Sequence, residues 1–334
     1  MDNEKHGPKH ARQKKNRAVD MIIRVVLIIS VAAFLFSGWK MLDELVIEPG
    51  RNKKGLEEYR EMRPTASSRT NPVSSAPPAE SKTESGAETE SAPAEILPSF
   101  AELYAANPDI GGWLTIPDTE LDHPVFYTPM NQNYYLARDP DGSPNKYGSL
   151  FLSSFSTLDP QAQVLVMYGH NMENDDLMFG QLNAYKKLSF LKEHPTFTFD
   201  TVYREGEWKV IAVARASTNE LNIFPYNCTQ YDTDEEFYAF IRQARLQSMY
   251  HIDDDVTPSD SLLVMSTCDY LYFGDRLVIV ARRLRDGEGA VDTARYEVNN
   301  LMLWPATYYT LSYTTGTRPG NEALANAYRD FYGE

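Results

Sequence analysis

Cysteine is scarce in this chain, with two among 334 residues, Cys228 and Cys268. Two cysteines exclude a disulfide-stapled scaffold, and a Cys228–Cys268 pair would consume the only thiols on offer. No CxxC or HExxH spacing occurs, so the sequence calls for no metal and no cofactor. Positive charge is in deficit: 32 Lys and Arg stand against 47 Asp and Glu, a formal net charge of −15. Residues 1–20 hold six of those basic residues against three acids, and their surplus of three positives leaves −18 on the rest. A body that acidic repels a phosphate backbone, which excludes nucleic acid as a partner. Internal repeats are lacking too, and membrane-grade apolar runs are lacking with one exception.

The exception is residues 21–42, uncharged between positions 25 and 39 and bounded by Arg24 and Lys40. Twenty-two helical residues span roughly 33 Å, enough to cross a hydrocarbon core while the two charges snorkel. Trp39 suits the interface. A cleaved signal peptide is the competing reading, but no small-x-small site follows the apolar core. With the basic residues 1–20 ahead of it, positive-inside orientation makes residues 1–20 a cytoplasmic tail and 21–42 a single-pass signal anchor of the cell membrane, with the remainder outside. Residues 43–63 are a charged juxtamembrane segment with scattered Leu45, Ile47, Leu56, Tyr59 and Met62, readable as a helix. Residues 64–95 are rich in Pro, Ser, Thr, Ala and Glu, with no aromatic and one bulky aliphatic, Val73. Such a stretch cannot bury enough apolar surface to order itself and reads as a disordered tether with an r.m.s. span of roughly 30 Å.

Residues 96–286 carry the globular signals. Ser99 with Glu102 reads as a capping box opening a short helix. Short apolar, β-branched runs follow, separated by turn residues: 113–116, 123–126, 149–152, 163–169, 197–199, 208–214, 262–265 and 277–281. About eight strands suggest a mainly antiparallel barrel or sandwich. Thr233 and Glu236 form a second capping box, and Phe237, Phe240, Ile241 and Ala244 recur at helical spacing, which predicts a helix over 233–249 with one face on the sheet. Residues 179–191 read as a further helical stretch.

The chemistry concentrates in residues 261–285. Two buried-strand patterns are joined by a loop containing Gly274 and Asp275, with Cys268 at the exit of the first strand and Arg276 at the entry of the second. A thiol and a guanidinium on one rim suit acyl transfer, which also needs a base. His170 sits where the apolar run ending at Gly169 opens into a loop, a third strand end. Taken alone, a cysteine in a strand is most often a small buried hydrophobe; the company of His170 and Arg276 is what argues otherwise. Cys228 has no such company and reads as structural. Arg282, Arg283 and Arg285 are rivals to Arg276, but lie past the strand's middle and read as solvated charges. His123, His194 and His251 have no nucleophile signal nearby.

These residues resemble the class B sortases, membrane-anchored cysteine transpeptidases of Gram-positive bacteria. The T-L-x-T-C signature of that family matches Val264-Met265-Ser266-Thr267-Cys268, keeping Thr-Cys. Its histidine matches His170 in Tyr168-Gly169-His170-Asn171-Met172, followed by Met178-Phe179-Gly180, and its arginine matches Arg276. Asn107, Asp109-Ile110-Gly111-Gly112-Trp113-Leu114, Ile116-Pro117, His123-Pro124-Val125 and Asn133-Tyr134-Tyr135-Leu136 extend the likeness over residues 98–285. The resemblance implies a mainly β fold: a closed or nearly closed eight-stranded barrel with peripheral helices. It implies Cys268 as nucleophile, His170 as acid and base, Arg276 as oxyanion stabiliser, and Thr267 and Ser266 as substrate contacts. The implied partners are the C-terminal sorting-signal peptide of an exported protein, cleaved after threonine, and an amine acceptor, either from a peptidoglycan precursor or a pilin lysine. A membrane-anchored cysteine peptidase and a catalytically silent tethered binding module are the other readings these residues allow. Residues 287–334 form a C-terminal extension in which 321–332 reads as a helix with Leu324, Ala327, Tyr328 and Phe331 on one face, able to brace the barrel, cover the site or bind a partner. Residues 308–313 read as a strand or extended wrap.

Overall fold

The computed structural model describes residues 9–64, 94–172, 177–311 and 317–333. The expected tether falls almost entirely on residues 65–93, outside the described residues. The chain divides into two compact units, residues 1–54 and 55–334. In the first, Lys9–Leu42 (α1) is one helix, followed by a π-helical turn, Asp43–Ile47. The apolar stretch of this helical region is long enough to cross a membrane, and none of it is buried. Glu48–Glu61 (α2) comes next. Within the second unit, its last residues pack on the barrel: Leu56 and Tyr59 are buried in the main core, and Tyr59 donates its hydroxyl to the Pro140 carbonyl at 3.1 Å.

A closed eight-stranded barrel forms the body. Its strands are Ile110–Thr115 (β1), Asp122–Phe126 (β2), Leu150–Leu152 (β3), Val164–Tyr168 (β4), Thr196–Thr201 (β5), Glu207–Ser217 (β6), Leu262–Cys268 (β8) and Asp275–Arg283 (β9). Tyr250–His251 (β7) and Glu297–Val298 (β10) pair separately. Around the barrel the order is β1-β2-β3-β4-β8-β9-β6-β5. The pairs β2–β3 and β4–β8 are parallel, and the other barrel pairs are antiparallel. The β4–β8 pairing is why those strands read as unbroken apolar runs. A central strand buried on both faces has no polar face to alternate with. Leu165, Met167, Leu263, Met265, Leu277 and Ile279 fill one core cluster, while Val164, Val166, Leu262, Val264, Val278 and Val280 join a second, packed with a helix.

That helix is Asp234–Leu246 (α5), and Phe237, Phe240, Ile241 and Ala244 are its buried face as expected. Thr233 caps it, its Oγ1 accepting from the Glu236 amide at 3.2 Å, while the Glu236 carboxylate accepts from the Asp232 amide at 3.0 Å. Burying its three large side chains stabilises the helix by about 1.5–3 kcal/mol each. The helix stops three residues short of the expected end. Ser248, fully buried, takes the Tyr250 and Val213 backbone as partners instead of continuing the turn.

Some expectations fail. Ser99 caps nothing: Pro98–Phe100 is a 3-10 turn without a side-chain cap, because proline presets that turn one residue earlier, and Ala101–Ala106 (α3) continues from it. The stretch expected to be helical after His170 is helical, in two pieces: a 3-10 helix, Phe179–Lys186, and Leu188–Glu193 (α4). Arg282 is not solvated but fully buried, held by Asp254 at 2.8 and 2.9 Å and by Glu288 at 2.6 and 2.8 Å. Arg285 pairs with Asp260 and Asp255. Residues 306–309 form a helical turn (α6, Ala306–Tyr309) rather than a strand, and 312–316 lie outside the described residues.

The C-terminal extension docks within the second unit, on α5 and its neighbours. Asn321–Tyr332 (α7) buries Leu324 and Tyr328. The Arg245 guanidinium of α5 donates to the Tyr328 hydroxyl at 3.1 Å and lies 4.2 Å over the Tyr332 ring, and Phe331 stacks on His251 at 4.8 Å. Upstream, Asn299 and Leu303 donate their amides to Met249 and Leu246.

Candidate active site

Cys268 and Arg276 are register partners across the antiparallel β8–β9 ladder. Residues directly opposite in such a ladder project their side chains to the same face. The face is set by alternation: Leu262 and Val264 on β8, and Val278 and Val280 on β9, all belong to the α5-side cluster. Ser266, Cys268 and Arg276 continue that face beyond the helix, where the apolar packing ends.

His170 reaches the same place by a different route. In the parallel β4–β8 pairing Tyr168 lies beside Ser266, so two further residues along each chain bring His170 level with Cys268. The intervening Gly169 is obligatory, since a Cβ there would come within 2.5 Å of Leu150 and 2.8 Å of Phe179. Two hydrogen bonds bind the histidine loop to the cysteine strand. Thr267 donates its hydroxyl to the Gly169 carbonyl at 2.8 Å, and Asn171 donates its side-chain amide to the Cys268 carbonyl at 2.8 Å. Tyr270 donates its hydroxyl to the Asn171 carbonyl. The imidazole Nε2 lies 2.7 Å from the Leu136 carbonyl, which can only accept. Nε2 therefore carries the proton in the neutral ring, leaving Nδ1 as the basic nitrogen.

Thr267 has the opposite parity to Cys268, and its hydroxyl holds the histidine loop. Ser266 shares the Cys268 face and sits against the Tyr226 phenol. Burial pushes that phenol above its ordinary range, and it lies within electrostatic reach of Arg276 and Cys268. Tyr168, pushed up to about 12 mainly by burial, flanks the same guanidinium. One Nη of Arg276 donates to the Asp275 carbonyl at 2.9 Å. Gly274, at φ +88°, makes the turn that returns the chain into β9. In the sequence Asn171, Tyr226 and Asp269 carry no assigned role, and Asp275 reads only as a turn residue. Asn171, next to His170 in its motif, was the one with a local signal. Cys228, its Sγ 2.8 Å from the Gln230 carbonyl, is not bonded to Cys268, and both thiols are free. Among the described residues no cluster of His, Cys, Asp or Glu is placed to hold a metal. A thiol, a guanidinium and an imidazole with a free nitrogen on one rim can perform nucleophilic acyl transfer.

The chain is 29% identical over 242 residues to sortase B of Listeria monocytogenes, an alignment covering 72% of this chain and 87% of that protein. Among solved structures, sortase B of B. anthracis in complex with AAEK2 is 26% identical, with a TM-score of 0.56 over 70% of this chain and 96% of that one. The Staphylococcus aureus sortase B–substrate complex is 28% identical, with a TM-score of 0.52 over 57% of this chain and 87% of that one. No family model matches.

Proposed function

We propose that this chain, a class B sortase by sequence kinship and fold, joins exported proteins to an amine acceptor through a thioacyl intermediate on Cys268. The observation that carries this reading is the register pairing of Cys268 with Arg276, with the His170 loop latched to Thr267 and Cys268 on the adjoining strand. The Cys268 thiolate attacks the carbonyl of a sorting-signal threonine, and the Arg276 guanidinium takes the negative charge that develops on its oxygen. As the C–N bond breaks, protonated His170 delivers a proton to the departing amine. A second amine then enters; His170 takes its proton, and the new amide forms as the thioester opens. The Leu136 carbonyl fixes the ring, so Nδ1 is the nitrogen that moves protons. Ser266, Tyr226 and Tyr168 line the face on which the peptide lies.

The apolar helix supports a single-pass anchor through residues 21–42, with the basic tail in the cytoplasm and the catalytic unit outside. The acceptor is an amine of peptidoglycan or of a pilin. The test incubates the full chain in detergent micelles with quenched sorting-signal pentapeptides, with and without an oligoglycine or lysyl amine. An amine-joined product that disappears in Cys268→Ala is the expected result. Hydrolysis indifferent to added amine would instead mark a peptidase, and cleavage that survives Cys268→Ala would overturn the assignment.

A further inference from the structure

The C-terminal extension touches the candidate site from behind. Arg215 on β6 places Nη1 2.7 Å from Asp269 Oδ2 and 2.8 Å from Asp275 Oδ2. Asp269 follows Cys268 and Asp275 precedes Arg276, so one guanidinium ties together the two residues that flank the nucleophile and its partner. Lys186 also pairs with Asp269. The Asp275 carboxylate is fully buried, and the Asp269 and Arg215 side chains are nearly so. Arg215 Nε is itself buried without a hydrogen-bond partner. What covers the guanidinium is Trp304, whose ring centroid lies 4.7 Å from it. Trp304 is in turn stacked on Tyr308 at 4.0 Å, and its amide donates to the Tyr309 hydroxyl at 3.1 Å.

The same segment grips the loop after β6. Glu220 accepts from the amides of Ala306 at 2.9 Å and Thr307 at 3.2 Å. Two residues earlier in that loop, Thr218 donates its amide to the carbonyl of Gly274, the turn residue before Asp275.

Given the reading of Cys268 and Arg276 above, we propose that residues 303–309 are a clamp and that Trp304 and Arg215 are positioning residues for acyl transfer. Two buried carboxylates sharing one guanidinium hold a fixed geometry only while water is kept out, because water would screen each ion pair and let Arg215 swing to one carboxylate. The indole supplies the exclusion, and its negative face favours the cation. With Arg215 held between both aspartates, the ends of β8 and β9 keep the separation that sets Arg276 beside Cys268. The extension thereby acts on turnover, touching neither peptide nor acceptor.

The test uses the full chain in micelles with Cys228→Ser, comparing Trp304→Phe, Trp304→Leu and Trp304→Ala. Leucine keeps apolar bulk without a π face, so it reports even where alanine unfolds. The clamp predicts a kcat lower by about tenfold in the Leu and Ala variants, with KM changed less than about twofold and Phe close to wild type. It also predicts that the pH midpoint for alkylation of Cys268 by iodoacetamide rises in the Leu variant, as Arg276 moves from the thiolate. Wild-type kcat with an unmoved midpoint in Trp304→Leu overturns the clamp. The alkylation arm needs no substrate: if no peptide is processed, the transpeptidase reading falls, while the clamp still stands or falls on the midpoint.

Discussion

Thr267 donates its hydroxyl to the Gly169 carbonyl at 2.8 Å, joining the strand that carries Cys268 to the loop that carries His170. With the Asn171 bond to the Cys268 carbonyl, it fixes the nucleophile relative to the base across two parallel strands that are far apart in the chain.

Replacing that threonine by valine keeps the shape and leaves the Gly169 carbonyl without its hydroxyl partner. The expected cost is about 1–3 kcal/mol of stability. The expected kinetic effect is a larger fractional loss of kcat than of peptide affinity, because the His170 loop gains freedom. Denaturant midpoints and steady-state kinetics on Thr267→Val check both; unchanged kcat would remove Thr267 from the positioning machinery.

Arg282 is the opposite kind of cation, fully buried at the far end of the strand that begins with the Asp275–Arg276 pair. Glu288 is lowered to about 2, with the Arg282 hydrogen bond as the first cause, and Asp254 is lowered too, burial being outweighed by the Arg282 hydrogen bond and the Lys209 charge. Arg282→Met takes the guanidinium from both carboxylates and leaves Asp254 only Lys209, 2.9 Å away, so it should cost about 1.5–3 kcal/mol. Thermal unfolding measures it, and a loss below about 1 kcal/mol would mean that water reaches the network.

His123 sets an acid limit. Burial, and after it the nearby Arg60, pushes its imidazole down to about 3 from the ordinary 6.5. The unfolded chain takes up a proton below about 6.5 while the native state does not. The stability tied to a neutral His123 is therefore fully present above pH 6.5 and is lost as pH falls towards 3, by up to about 1.4 kcal/mol per pH unit. Urea midpoints between pH 6.5 and 4 should fall less steeply in His123→Phe than in wild type; equal slopes would place the acid sensitivity elsewhere.

Much of this architecture was legible because the physics is local. The runs at 163–169, 262–265 and 277–281 are unbroken because both strand faces are buried, and Phe237, Phe240, Ile241 and Ala244 mark the face of α5 through the 3.6-residue period. Cys268, His170 and Arg276 stood out because each interrupts such a pattern at a strand end. Arg282 was misread because a guanidinium inside a strand carries no sign of the Asp254 that neutralises it from 28 positions away. Ser99 was misread because Pro98 starts a 3-10 turn where a capping box was expected. The Arg215, Asp269, Asp275 and Trp304 assembly had no local signature at all: it exists only once β6, the β8–β9 loop and the extension meet.

The central claim is that Cys268 carries the acyl group, and the most direct measurement is the intact mass of the full chain after brief exposure to a cleavable sorting-signal peptide without acceptor. The account predicts a mass gain equal to the peptide fragment ending at threonine, located on Cys268 and released by hydroxylamine as a thioester must be. The adduct should be missing in Cys268→Ala and should decay faster when an amine is supplied. Peptide cleavage with no adduct on Cys268, or an adduct unmoved by hydroxylamine, would contradict it.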